Sequence, residues 1–125
     1  MPGPETVGPL QARLRRALLV AMKARDAVAV AALRSAVAAV DNAEAIAPGT
    51  EAAPLDGVIA KSVAGLGAAE ALRRELSEDE VAGIVRAEVA ERRAAAVEYQ
   101  DAGHHDHATR LRAEADILAA HLAGA

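Results

Sequence analysis

Apolar residues recur every three or four positions through most of this chain, and nowhere do they alternate one by one. That spacing gathers them on one side of an α-helix and on neither face of a strand, so the expected fold class is all-α. Leu10, Leu14, Leu18 and Met22, flanked by Ala17 and Ala21, predict a helix from about Leu10 to Arg25, with Pro9 suited to its first turn. Val30, Leu33, Val37, Val40, Ala43 and Ile46 predict a second. Val81, Val85, Val89, Ala96 and Tyr99 trace a third to about Ala102, where Gly103 stops it. Leu111, Ala115, Leu118 and Leu122 mark a fourth, beginning near Asp106.

The junction between the first two helices is the ambiguous point. Met22 and Leu33 stand eleven residues apart, which at 100° per residue leaves them about 20° apart around one axis. Phase alone therefore permits a single long helix. The charges of the stretch AMKARD, Ala21 to Asp26, favour a corner instead. On a straight helix Asp26 would lie on the apolar stripe, where an unpartnered carboxylate is costly. At a corner it becomes the N-cap of the second helix, while Lys23 and Arg25 complement the C-terminal end of the first.

Between the helix pairs, residues 47–67 hold four glycines and two prolines without a sustained period, the mark of a connector. A short helix over Ala68–Leu76 fits within its second half. Ser77-Glu78-Asp79-Glu80 then carries an N-cap, a capping-box glutamate and an acidic first turn. The expected organisation is one domain: a tail over 1–9, a first helix pair over 10–46, a connector over 47–76 and a second pair over 77–123. This is a small bundle of four main helices with a long connector between helices 2 and 3.

Composition narrows the chemistry. With no cysteine among 125 residues, neither a disulfide framework nor a thiolate zinc site is available, and the cytoplasm is the simplest home. The most apolar N-terminal run, Ala17 to Met22, falls far short of the ~20 residues that span a bilayer. A net charge of −4 and a single aromatic residue, Tyr99, argue against a free-standing, charge-driven nucleic-acid binder and against a base-stacking platform. Neither DNA nor a membrane is expected as a partner. Tyr99 is expected to pack at the edge of the core.

His104-His105-Asp106-His107 offers ligand types that suit zinc or nickel. Consecutive residues converge poorly on one ion, however, and Asp106 has an expected duty as N-cap, so no metal is assigned. Arg92 and Arg93 beside Glu88 and Glu91 suggest an anion site, but Glu88 and Arg92 stand at i,i+4, the spacing of a helix-supporting ion pair. No nucleophile–base arrangement, phosphate loop or carboxylate pair with a substrate motif is present. No catalytic residue and no cofactor follow from these residues.

Taken in order, LLVAMKARDAVAVAALRSAVAAVDNAE, LSEDEVAGIVRAEVAERRAAAVEYQDAG and RAEADILAAHL resemble the GatB/YqeY family, helical proteins related to the C-terminal region of the aminoacyl-tRNA amidotransferase B subunit. The matching positions include Met22, Lys23, Arg25, Asp26, Leu33, Arg34, Asn42, Glu44, Ser77, Glu80, Arg92, Arg93, Tyr99, Ala102, Gly103, Asp106, Glu114, Ile117 and Leu118. Three features depart from the family pattern. The connector is long, His104 stands where the family turn usually has Arg, and the sequence stops at Ala125 where the family usually continues into a second helical subdomain, so a short form is expected.

The resemblance implies a helical adaptor with no catalytic core of its own. A family label naming carbon–nitrogen ligation with glutamine as amide donor describes the large family member. The implied partners are tRNA, a tRNA-dependent amidotransferase or another translation-associated protein, docked through Lys23, Arg25 and Arg34, with Arg92 and Arg93. The alternative is a protein-interaction or self-association module with no RNA role. Because residues 47–67 lack periodic apolar positions, a nonspecific protease should cut there first while Val81–Tyr99 survives. Mass spectrometry of the earliest fragments checks this.

Overall fold

The computed structural model describes residues 8–45 and 75–124. The described residues fall into two units, one of residues 8–40 with 77–124 and a second that begins at Asp41. The described residues form four helices and no strand: α1 (Pro9–Ala24), α2 (Ala27–Ala45), α3 (Glu78–Asp101) and α4 (His105–Ala123). The all-α expectation is met. The connector, including the short helix expected before Ser77, lies outside the described residues apart from Glu75 and Leu76.

The junction at AMKARD is a corner. Arg25 adopts a left-handed conformation, with φ 57° and ψ 38°. Its N–H donates to the Met22 carbonyl (3.1 Å) and the Asp26 N–H to the Ala21 carbonyl (3.0 Å), the paired bonds that close a helix C-terminus. Asp26 then caps α2: the Ala29 N–H donates to Asp26 Oδ1 at 3.1 Å. Lys23 sits in the last turn of α1, where the dipole favours a cation.

The other ends are equally well marked. Ser77 Oγ accepts from the Glu80 N–H (3.0 Å), and Glu80 Oε1 accepts from the Ser77 N–H (2.8 Å). Glu78 lies in the first turn of α3, yet its carboxylate also accepts the Leu10 N–H at 2.9 Å. It thus serves the positive ends of two helices. Gly8 leaves the room this needs, since a β-carbon there would collide with Glu78 Oε1.

Gly103, at φ 89°, ends α3. Its N–H donates to the Gln100 carbonyl (3.0 Å) and the His104 N–H to the Tyr99 carbonyl (2.8 Å). The chain therefore turns directly into α4, which starts one residue earlier than expected. His104 stands at the N-cap without a side-chain bond, and Asp106 falls inside the first turn. The expected capping by Asp106 does not occur; its carboxylate sits where the dipole favours it.

The core of the first unit is made by Leu10, Leu14, Ala21, Ala29, Ala32, Leu33, Ala36, Val40, Val81, Val85, Val89, Ala96, Ala108, Ala115 and Leu118, all buried. α3 and α4 pack most extensively on each other, and α1 touches both. The apolar face of α3 lies where the spacing put it, except that Tyr99 is 37% exposed. On α1, Met22 is also exposed and Leu18 only half-buried. On α2 the buried face is Ala29, Ala32, Leu33, Ala36 and Val40, with Val30 and Val37 half-buried. That arc shares Leu33 and Val40 with the predicted stripe and is turned from it by roughly 30°. Small alanines make up most of the buried arc, with Leu33 and Val40 as its larger members and Val30 and Val37 at its margin.

Asp26→Ala should lower stability by about 1 kcal/mol through the lost cap. Arg25→Gly should raise it by about 1 kcal/mol, because glycine adopts the left-handed conformation without the steric cost. Thermal and urea unfolding of the two variants check both signs.

Candidate functional site

The sequence singles out five cations, and the structure treats them differently. Lys23 and Arg25 are exposed on either side of the α1 C-terminus, and Arg34 is exposed two turns into α2. The left-handed Arg25 and the Asp26 cap hold the corner that carries the first two. Arg93 is also exposed, with a long contact to Asp116 at 3.5 Å between side chains that are 56% and 75% exposed.

Arg92 has a different role. Its Nε donates to Glu114 Oε1 and its Nη1 to Glu88 Oε1, each at 2.9 Å, and its side chain is only 13% exposed. Nη1 also reaches the Glu88 carbonyl at 3.2 Å. Glu88 Oε1 in turn accepts the Ser35 hydroxyl at 2.7 Å, so side chains of α2, α3 and α4 meet around one guanidinium. Burial acts to lower the Arg92 pKa, but hydrogen bonds and attraction from Glu114 and Glu88 outweigh it and hold the value above that of a free arginine. The i,i+4 ion pair read from the sequence is present. Its second carboxylate, Glu114, comes from α4 and had no local signal beside Arg92.

The histidine run lines an open depression of about 520 Å³ with Gly103, Asp106 and Arg110. The His107 ring stacks on Tyr99 with centroids 3.9 Å apart and an interplanar angle of 7°, and His104 meets Tyr99 edge-on at 6.0 Å. Tyr99 thus packs on the turn imidazoles, at the surface. Among the described residues no group of three or more His, Asp or Glu side chains is placed to hold a metal ion.

At the other end of α4, Arg13 Nη2 donates to the His121 carbonyl at 2.8 Å, tying α1 to α4. Burial, and then the charge of Arg13, lower the His121 pKa. Two surface residues had no place in the helical pattern, Leu19 at 61% and Val20 at 66% exposed, and Met22, expected on the apolar stripe, is 46% exposed beside them. The signal for them was the run ALLVAM itself, since six consecutive apolar residues cannot all fit one helical stripe.

Fold and site together describe an all-helical protein with exposed cations at a helix corner and an internal ion-pair junction. The family model described as Yqey-like protein matches residues 61–124, and the chain belongs to that family. The matched residues take in α3 and α4; α1 and α2 lie outside them. Searches of curated proteins and of solved structures return no significant match.

Arg92→Ala should cost about 3 kcal/mol, because Glu114 would be left buried without its cation. Arg93→Ala should stay within about 0.5 kcal/mol, as for any exposed pair. Paired unfolding curves give the contrast. His121 adds a pH dependence. A base whose folded-state pKa is lowered binds protons more readily when unfolded, so stability is full above the unfolded value of about 6.5 and declines as pH falls below it. His121→Gln should flatten the melting temperature against pH between about pH 7 and 5.5.

Proposed function

We propose that this protein is a non-catalytic, cytoplasmic helical adaptor that docks on tRNA or on a translation-associated complex such as a tRNA-dependent amidotransferase. Membership of the YqeY family carries this reading, joined to the kinship of that family with the tRNA-holding region of the amidotransferase B subunit. The docking surface is Lys23, Arg25 and Arg34, whose exposed positions support it, with Arg93 as a further contact. Arg92 is left out because Glu88 and Glu114 engage its guanidinium. A second reading, a protein-interaction module with no RNA role, is favoured by the exposed Leu19 and Val20.

An electrophoretic shift with tRNA across a salt series tests the first reading. Binding should weaken as salt rises, with log affinity falling by about 0.7–0.9 per phosphate contact for each tenfold rise in salt. Lys23→Ala with Arg25→Ala should make that slope shallower by about 1–2 and leave melting nearly unchanged. Absence of any salt-sensitive shift would remove tRNA as the partner.

A further inference from the structure

Charge is unevenly distributed along this chain. Arg13, Arg15, Arg16, Lys23 and Arg25 lie between Pro9 and Arg25, a stretch with no Asp or Glu, although the whole protein carries a net charge of −4. α1 is therefore a cationic helix on an acidic protein. Its inner face holds Leu10, Leu14 and Ala21, all buried, while Leu19 and Val20 are 61% and 66% exposed.

Helical spacing arranges four outer residues into a diamond. Arg16 stands three residues before Leu19 and four before Val20; Lys23 stands four after Leu19 and three after Val20. Residues three and four apart are neighbours on a helix surface, so an apolar pair is bracketed by a cation one turn above and one turn below. Arg16 and Lys23 are both exposed, and Met22, 46% exposed, extends the apolar centre beside Leu19.

We propose that this outer face of α1 docks an acidic amphipathic helix of a partner protein, with the partner's leucine or isoleucine ridge on Leu19, Val20 and Met22 and its carboxylates on Arg16 and Lys23. Charge complementarity selects the occupant. An apolar centre between cations matches an apolar ridge between carboxylates and adds register to affinity. A phosphate backbone would use the cations and leave the aliphatic centre without a partner. An anionic bilayer favours a wide apolar face, often with aromatic anchors, whereas α1 has no aromatic residue and turns Leu10 and Leu14 inward. The proposal goes beyond the tRNA reading and does not depend on it.

The test uses the full chain and a labelled helical peptide with leucines at i, i+3 and i+4 spacing flanked by glutamates, followed by fluorescence anisotropy. A scrambled peptide of the same composition is the control. The ordered peptide should bind and the scrambled one should not. Leu19→Ser with Val20→Ser should weaken binding by about tenfold or more. Arg16→Glu with Lys23→Glu should weaken it similarly and restore binding to a peptide with lysine in place of glutamate.

Equal binding of both peptides, no binding, or an effect of the serine pair below about twofold would overturn the proposal. Three further measurements can also sink it. A concentration-dependent dimer in sedimentation velocity that the serine pair dissolves would give the face to a second copy. Co-sedimentation with phosphatidylglycerol vesicles that the same pair abolishes would give it to a membrane. A tRNA shift weakened by the serine pair, which keeps every charge, would give it to RNA. An unchanged tRNA shift alongside lost peptide binding supports a protein-docking face that shares only Lys23 with the proposed tRNA surface, and absence of any tRNA shift leaves that peptide result standing.

Discussion

The guanidinium of Arg92 is the point on which the arrangement of α2, α3 and α4 depends. It lies between Glu88, one turn back on its own helix, and Glu114 on α4, and Glu88 also takes the Ser35 hydroxyl of α2. Two carboxylates and one cation in a largely buried place are stable only as a set, since removing the cation leaves Glu114 without compensation. The directional bonds also specify register. Apolar burial among the alanines and valines of this core is non-directional, whereas a one-turn slip of α4 would carry Glu114 away from Arg92.

Helix ends supply the second layer of specification. An alanine-rich chain has high helical propensity almost everywhere, so its shape depends on where helices are made to stop. Arg25 and Gly103 both take left-handed conformations and close their helices with the same pair of backbone bonds. Asp26 and Ser77 open the helices that follow. Glu78 joins the two regions by accepting the Leu10 N–H from within the first turn of α3. These polar contacts set the directions that the apolar core then covers.

The match to the family model divides the candidate docking residues between those inside it and those outside it. α3 and α4, inside the match, hold the ion-pair junction and the capped turn. α1 and the corner, outside it, carry Lys23, Arg25, Leu19 and Val20, while the exposed Arg93 and Val97 lie on α3 within it. The second pair thus holds the internal ion pairs at Arg92, and three of the four proposed docking cations lie on the first pair or at its corner.

Much of this protein follows from local sequence. The helical period gave the all-α class, Ser77 and Glu80 gave the start of α3, Gly103 its end, and Asp26 the corner, because each feature depends on residues within four or five positions. The i,i+4 pairing of Glu88 with Arg92 was legible for the same reason. Other features were not. Which arc of α2 is buried, that Met22 faces outward and that Tyr99 stacks on His107 depend on what packs alongside. Glu114 reaches Arg92 across 22 residues, and Arg13 reaches His121 across 108. Periodicity shows that a helix has an apolar side and limits where its ends fall. Only tertiary packing decides how that side is rotated and which distant charge completes an ion pair, because those depend on contacts between helices and not on spacing within one.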